Sequence, residues 1–286
     1  MSTKTPAANA VVPGLRLGRP PIPHEHGAWV ILYAPLFIAL AATPPFALAP
    51  SLLLVLAVTG LFLAREAAGR LLRRRGQAGT TFWLGVYLAA ALAGTLPLLR
   101  SYRRLALLHV GLLVVGLFAL HALLLLWPAR KRLDRSQWGE ILGVGALALT
   151  APAAYVVARG ALDSRAWTLW AACVLYFSSG IFYVKMLLAA VKVRRVIGWP
   201  ERWRVGRDNL LYHLLLVGGV AVLAAQQGGR SGLLVALAYL PALCRAFRGW
   251  ATLTNRLPPL KRVGLAETLY SLWFLGCFLA ALRLKI

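Results

Sequence analysis

The stretch FALAPSLLLVLAVTGLFLA, residues 46–64, decides the fold class of this chain. It carries no charged side chain and is long enough to cross the hydrocarbon core of a bilayer, about 30 Å, as a helix. In hydrocarbon every backbone N–H and C=O must be bonded within its own segment, so a run of this kind is helical. Arg65 and Glu66 follow it directly, so the run ends with charge, as expected where a membrane span reaches an interface.

Apolar runs of similar length fill the rest of the chain, which is 60% hydrophobic, 14% charged and has a mean hydropathy of +0.70. The usual charged share of a soluble protein is about 25%. The sequence therefore predicts an all-α, polytopic membrane helix bundle with about nine transmembrane helices. The predicted spans are Ala28–Ala42, Phe46–Ala64, Thr81–Leu99, Leu105–Trp127, Trp138–Val157, Ala166–Ala190, Asn209–Ala225, Gly232–Phe247 and Leu265–Leu282.

The domain organisation follows from the same pattern. Residues 1–20 are small, polar and Pro-rich, a composition that predicts a disordered cytoplasmic N-terminus. Residues 21–286 form a single predicted transmembrane helical domain. Within it, Thr43-Pro44-Pro45 joins the first two spans, because Pro cannot continue a helix.

Basic residues set the predicted orientation. The chain has 32 Lys and Arg against 8 Asp and Glu, and with the N-terminus inside most of the basic residues fall in cytoplasmic loops. The positive-inside rule then places the N-terminus in the cytoplasm and predicts a multi-pass protein of the cell inner (cytoplasmic) membrane. Short basic loops between apolar runs indicate anionic membrane lipid as the partner and argue against nucleic acid.

All acidic residues except Asp163 fall at the predicted cytoplasmic ends of the spans. Next to the first span, His24-Glu25-His26-Gly27 follows Pro20-Pro21-Ile22-Pro23, which holds the approach extended. Two His residues two apart on an extended chain lie on one side and can bind a divalent metal or a phosphate. The alternative is an interface segment in which the His residues bond helix ends and Trp29 anchors at the headgroups.

Two further groups of charged residues also allow two interpretations each, one as a binding site and one as a structural feature. After the second span, Glu66 lies one turn before Arg70, so Arg65, Glu66 and Arg70 form either an anion site or an intrahelical salt bridge with membrane anchors. In the sixth span, Lys185 either extends to the interface or points into the bundle and pairs with a carboxylate.

The last groups lie on the seventh and ninth spans. Arg207, Asp208 and Asn209 open the seventh predicted helix, where Asp or Asn is typical of an N-cap, and His213 lies one turn deeper. Glu267 lies among apolar residues near the start of the ninth span. An unpaired acid there costs several kcal/mol, so we expect a cationic partner, Arg65 or Lys185.

Several of these motifs resemble the YwiC-like membrane proteins. They are Pro23-His24-Glu25-His26-Gly27-Ala28-Trp29, Ala34-Pro35-Leu36, Arg65-Glu66, and Lys261-Arg262-Val263-Gly264-Leu265-Ala266-Glu267 with Ser271. A looser resemblance is to UbiA-type intramembrane prenyltransferases, which have nine helices and an N-terminus inside. That resemblance implies a UbiA-like architecture, with polar groups after helices two and six around a lipid-facing cavity. The two Asp-rich Mg²⁺ motifs of that family are not matched, since Glu66 is the one acid after the second span and Asp208 lies among arginines after the sixth.

These observations predict a protein that handles an isoprenoid or other anionic lipidic substrate at the cytoplasmic leaflet, with at most one Mg²⁺ as cofactor. Glu66, Glu267 and His213 are the candidate catalytic residues. His24, His26, Arg65, Lys185, Arg207 and Asp208 are the candidate substrate-binding residues. The alternative is a non-catalytic membrane protein, either a small-solute transporter or an assembly factor.

Overall fold

The structure, a computed structural model, describes residues 18–23, 26–44, 47–73, 79–126, 136–193, 197–256 and 258–284. Within these ranges the chain is helical and forms no strand. The helices, in chain order, are α1 (His26–Ala41), α2 (Leu48–Leu72), α3 (Thr80–Arg100), α4 (Leu107–Leu126), α5 (Gln137–Ala148), α6 (Thr150–Arg159), α7 (Ser164–Val191), α8 (Trp199–Gln227), α9 (Gly229–Ala251) and α10 (Leu260–Arg283).

The predicted all-α membrane bundle is confirmed. In the described ranges, eight segments are long and apolar enough to cross a membrane, and α1 adds a shorter apolar helix, Gly27–Ala41. Helices α5 and α6 together form one of the eight, Gln137–Arg159. They are separated at Leu149. Pro152 explains the break, since it cannot donate a hydrogen bond to the Ala148 carbonyl one turn earlier.

The seventh span was predicted to begin at Asn209, but the helix that contains it begins ten residues earlier. Helix α8 starts at Trp199, with Gly198 as its N-cap and Pro200 in its first turn, where the missing N–H of Pro costs nothing. Arg207, Asp208 and Asn209 therefore lie inside α8, and the predicted N-cap at Asp208 or Asn209 is wrong. Hydropathy located only the apolar part of a helix whose first turns are polar.

Helices α1 and α6 form the centre of the bundle. Helix α1 packs against α5, α6, α7 and α10, and α6 also packs against α2, α4 and α7. Residues 144–157 of α5 and α6 are buried without exception. Thr150 ties the two central helices together, because its hydroxyl donates to the Leu32 carbonyl at 2.7 Å. Most of the surface of the short first helix is thus packed against other helices, and one face is left open.

Helices α2 and α3 form a close hairpin at one edge. A Cβ added at Gly60 would lie 2.6 Å from the Ala91 nitrogen and 2.7 Å from the Tyr87 oxygen, so only Gly fits there. On the facing helix, Gly94 meets the backbone of α2 in the same way. Small residues that let helix backbones approach are a common basis of packing in membranes.

We expect Gly60→Ala to destabilise the protein by about 1–3 kcal/mol, because the added methyl group forces α2 and α3 apart. Gly85→Ala in α3 is the matched control, since a Cβ there meets nothing within 4 Å. The measurement is thermal unfolding of both purified variants in detergent. Equal melting temperatures for the two variants would contradict this packing.

Asp163, in the short connection between α6 and α7, is the N-cap of α7. Its carboxylate accepts from the backbone N–H of Arg165 at 2.9 Å and of Ala166 at 3.2 Å, and from the Tyr155 hydroxyl at 2.8 Å. Burial raises the pKa of this carboxyl, but these hydrogen bonds and the charge of Arg159 outweigh burial and lower the pKa below its ordinary value of 3.8. The ionised form therefore stabilises the α6–α7 connection.

We expect Asp163→Ala to cost about 1–2 kcal/mol at neutral pH, the usual effect of losing a helix cap. Because the folded pKa is lowered, the contribution is fully present above pH 3.8 and is lost as the pH falls through the folded pKa. Melting temperatures of wild type and variant, measured from pH 7 to pH 3, should converge at the acid end. A constant gap would show that ionisation of Asp163 plays no part.

Candidate functional site

Three acid–base pairs lie toward the predicted cytoplasmic ends of the helices. They are Glu66 with Arg70, Glu140 with Lys185, and Glu267 with Arg245. Helices α1, α5 and α10 begin at this side, and α2, α7 and α9 end there. All three pairs therefore lie at the helix ends that the predicted topology places on one side.

Glu66 and Arg70 form the intrahelical alternative that the sequence left open. Arg70 Nε donates to Glu66 Oε1 at 2.8 Å, one turn apart on α2. The same guanidinium also donates through Nη2 to the Ile22 carbonyl at 3.3 Å. Arg65 points elsewhere, since its guanidinium lies 5.6 Å from the centre of the Phe118 ring on α4. Glu66 therefore helps to hold the N-terminal segment beside α2.

Lys185 points into the bundle and pairs with a carboxylate, the second of its two predicted alternatives. Its Nζ donates to Glu140 Oε1 at 2.6 Å and so links α7 to α5. Ser136 caps α5 by accepting from the Gly139 N–H at 3.1 Å, which fixes the first turn that carries Glu140. The charge of Lys185 is thus balanced within the protein.

Glu267 has a cationic partner, as predicted, but the predicted identity of that partner, Arg65 or Lys185, is wrong. Arg245 on α9 donates to Glu267 Oε1 and also, through Nη2, to the Ser179 hydroxyl at 3.3 Å. Its guanidinium lies 4.7 Å from the centre of the Tyr183 ring and 5.7 Å from that of Tyr270. Only 7% of the Arg245 side chain is exposed, against 32% of Glu267.

Arg245 was not among the site residues predicted from the sequence. One signal was available: Arg245 and Lys185 are the cations that lie within predicted spans, and Arg245 is on the helix that directly precedes α10. Consecutive helices usually pack together, as α9 and α10 do here.

His213 and Asn209 lie deep in α8. His213 is fully buried, and its Nδ1 lies 2.8 Å from the Asn209 carbonyl oxygen. Asn209 donates through Nδ2 to the Ala246 carbonyl of α9 at 3.4 Å. His213 Nε2 and Asn209 Oδ1 are buried and find no hydrogen-bond partner among the described residues.

Arg207 and Asp208, in contrast, are exposed and pair with each other at 3.3 Å. The structure therefore separates these two predicted binding residues from the buried His213.

The first turn of α1 lies at the same side as the three pairs. Trp29 packs edge-on against Phe62 of α2, with ring centres 4.8 Å apart, and the Tyr33 hydroxyl lies 2.6 Å from that of Thr59. Phe62 is one turn before Glu66, so by residue count Glu66 and the start of α1 are at similar depth. His24 and Glu25 are outside the described residues, as is the side chain of His26.

Two glycines, one on α7 and one on α1, reduce the side-chain volume near the Glu267 carboxylate and at the start of α1. A Cβ at Gly180 of α7 would come within 3.3 Å of Glu267 Oε2, and a Cβ at Gly27 of α1 would meet nothing within 4 Å. Because α1 packs against both α7 and α10, the partly exposed Glu267 belongs to the helices that surround the start of α1.

An apolar groove of about 260 Å³ runs along α1 from this end. It is lined by Trp29, Val30, Tyr33, Ala34, Phe37 and Leu275. Counted from Trp29, the α1 residues in it are at positions i, i+1, i+4, i+5 and i+8, the spacing of one helical face. A groove of this kind accepts a hydrocarbon chain.

No group of three or more His, Cys, Asp or Glu side chains that could hold a metal ion occurs within the part of the chain that the structure describes. His24, Glu25 and the side chain of His26 fall outside that part, so the predicted metal or phosphate role of the two His residues stays a prediction.

Comparison with known proteins identifies relatives. Residues 22–155 match the family model described as YwiC-like protein. The chain is 25% identical over 259 residues to the "Uncharacterized protein YwiC" of Bacillus subtilis (strain 168), which covers 89% of this chain and 95% of that protein. No solved structure matches. The predicted resemblance to YwiC-like proteins is confirmed, and the looser one to UbiA-type prenyltransferases stays a prediction.

We expect Glu267→Gln to destabilise the protein by about 2–3 kcal/mol, somewhat less than for a fully buried pair, because it leaves Arg245 charged without a partner. Glu66→Gln is the matched control, since intrahelical pairs on a surface contribute only about 0.3–0.5 kcal/mol. Unfolding of both variants in detergent measures the difference. Both should insert into the membrane, and equal effects on stability would mean that Glu267 does not neutralise Arg245.

Proposed function

We propose that this YwiC-like multi-pass membrane protein binds an isoprenoid or a similar anionic lipid at the cytoplasmic leaflet of the cell inner membrane. The observation that carries the proposal is that one helix, α1, offers both halves of such a site. Its first turn lies at the charged cytoplasmic end of the bundle, and its next two turns form the apolar groove.

The groove suits the tail of such a ligand. Tyr33 and Trp29 supply aromatic surface, and Phe37 is 50% exposed at the far end. In the bilayer a hydrocarbon tail gains van der Waals contacts with these rings when it lies in the groove. The groove is open along its length, so a chain of several isoprene units can lie in it and extend into the bilayer.

The polar end suits the head. We assign the anion to the N-terminal N–H groups of α1, where the helix dipole favours negative charge, and keep the sequence-predicted role of His24 and His26 as its partners. Arg65, Lys185 and Arg207 were the predicted cations. Of these, Lys185 lies on a helix that packs against α1, although Glu140 balances its charge. Arg65 faces Phe118 and Arg207 pairs with the exposed Asp208, which makes both weaker candidates.

Glu267 is the candidate for proton transfer in this site. Its Oε1 is held by Arg245, while its side chain keeps 32% exposure, so the carboxylate is fixed in place and still reachable. In the proposal the pair orients a polar head group, and any chemistry that follows is acid–base in kind. His213 is fully buried on α8, which packs against α9, the helix that carries Arg245.

The buried polar residues of α8 favour a second function, a small-solute transporter. His213 and Asn209 are both buried within a span and keep unpartnered acceptor or donor atoms. Polar groups inside a membrane segment often mark a path for solute or protons. Uptake or pH change in proteoliposomes, lost in His213→Leu, would favour transport over lipid binding.

We expect detergent-purified protein to bind farnesyl pyrophosphate, to keep that binding in EDTA, and to lose affinity as salt rises. Acids suited to Mg²⁺ come from separate helices, so the anion is held mainly by cations and helix N–H groups, and exposed charge pairs are screened by salt. Titration with and without EDTA at low and high salt measures this. Complete loss in EDTA at low salt would instead indicate a metal-dependent prenyltransferase.

A matched pair of Phe variants tests whether the hydrocarbon tail of the ligand lies in the groove along α1. Phe37 in the groove is 50% exposed, and Phe82 on α3 is 48% exposed but lies outside the groove. Phe37→Ala should weaken farnesyl pyrophosphate binding about fivefold, since about 1 kcal/mol of van der Waals contact between the ring and the tail is lost. Phe82→Ala should leave binding unchanged. If the two variants behave alike, the tail does not lie along α1.

A further inference from the structure

We propose a second ligand site, separate from α1: a pocket at the start of α8 that binds the phosphate of an anionic membrane lipid. The pocket has a volume of about 310 Å³. It is lined by Ile197, Arg202, Leu253, Thr254, Asn255 and Arg256, a set that we call the arginine pocket. It lies between the start of α8 and the connection from α9 to α10.

The walls of the pocket are fixed by contacts between α8 and α9. Trp250 donates from its indole N–H to the Arg202 carbonyl at 3.1 Å, and Arg202 Nη1 donates to the Ala251 carbonyl at 2.6 Å. Gly206 makes this possible, because a Cβ there would lie 2.8 Å from the Trp250 Nε1. The pocket is therefore built by two helices that hold each other in register.

The chemistry of the lining fits a phosphate. Arg202 Nε is buried and has no hydrogen-bond partner in the described chain, although Nη1 of the same group is bonded. Arg256 is exposed and lines the same space. Thr254 and Asn255 add a hydroxyl and an amide, and no acid is among the lining residues. Two guanidinium groups with neutral donors are a typical phosphate-binding set.

Aromatic residues place the pocket at the level of lipid headgroups. Trp199 and Trp203 are 60% and 47% exposed, and each packs against Trp250, with ring centres 5.5 Å and 5.0 Å apart. Exposed Trp side chains at the end of a membrane span favour the interface, where an apolar ring and a polar edge are both solvated. The buried Ile197 and Leu253 give the pocket an apolar floor.

The bound group is thus a phosphate with net negative charge, and it comes either from a lipid such as phosphatidylglycerol or from a soluble phosphate ester. The membrane position favours the lipid. In this site the phosphate oxygens accept from Arg202 Nε and from the Arg256 guanidinium. A bound lipid would link the α7–α8 and α9–α10 connections.

The test measures binding of dioleoyl phosphatidylglycerol to the full chain in detergent, by native mass spectrometry and by the shift of melting temperature. Arg256→Gln should weaken this binding about tenfold, the loss expected for one charge-assisted hydrogen bond. Arg204→Gln is the matched control, because Arg204 is an exposed cation of the same turns of α8 that does not line the pocket. Arg202→Lys, which keeps the charge but not Nε, should also weaken binding.

Phosphatidylcholine and glycerol phosphate complete the experiment. Weak binding of phosphatidylcholine supports recognition of net negative charge, and competition by glycerol phosphate would identify a soluble ester as the source of the phosphate. Failure of glycerol phosphate to compete would identify the lipid. The proposal is overturned if phosphatidylcholine binds as tightly as phosphatidylglycerol, or if Arg204→Gln weakens binding as much as Arg256→Gln.

Discussion

Hydrocarbon does not solvate charge, and this constraint governs where every ionised group of the bundle lies. Arg245 is the clearest case, since its guanidinium is buried within α9 and is stabilised by Glu267, Ser179 and two aromatic rings. The pair joins α9 to α10, and the hydrogen bond to Ser179 connects Arg245 to α7. Removal of Glu267 leaves the buried charge of Arg245 without its carboxylate, which costs more than the intact pair adds in net stability.

The same constraint explains the position of α1. At 16 residues it is shorter than each of the eight segments that are long enough to cross a membrane in the described ranges, and it is about 24 Å long at 1.5 Å per residue. Enclosure by α5, α6, α7 and α10 removes much of its surface from lipid, so a helix shorter than the hydrocarbon thickness is tolerated. Its exposed face is the apolar groove, and its first turn is next to the charged helix ends. One helix therefore supplies both the apolar and the polar part of a site for an amphipathic ligand.

Polar groups also divide the cytoplasmic side into distinct environments. Glu140 with Lys185 and Glu267 with Arg245 join helices around α1, whereas Arg202 and Arg256 line a pocket near the Trp residues of α8 and α9. The acids balance the first group, whereas no acid lines the second among the described residues. A positively charged pocket and a charge-balanced centre therefore suit different ligands.

The sequence by itself determined the all-α membrane class, the approximate position of most apolar helices, and the resemblance to YwiC-like proteins, because hydropathy and motifs are local properties. It also determined that Glu267 requires a cation and that Lys185 had a carboxylate as one of two alternatives. Only the tertiary structure decided that Arg245 is the partner of Glu267 and Glu140 that of Lys185, since pairing depends on which helices are neighbours and how each is rotated. It likewise decided that Asn209 is buried inside α8 rather than capping it, because polar first turns carry no hydropathy signal. The groove along α1 and the arginine pocket arise from surfaces contributed by separate helices, which no single segment of sequence contains.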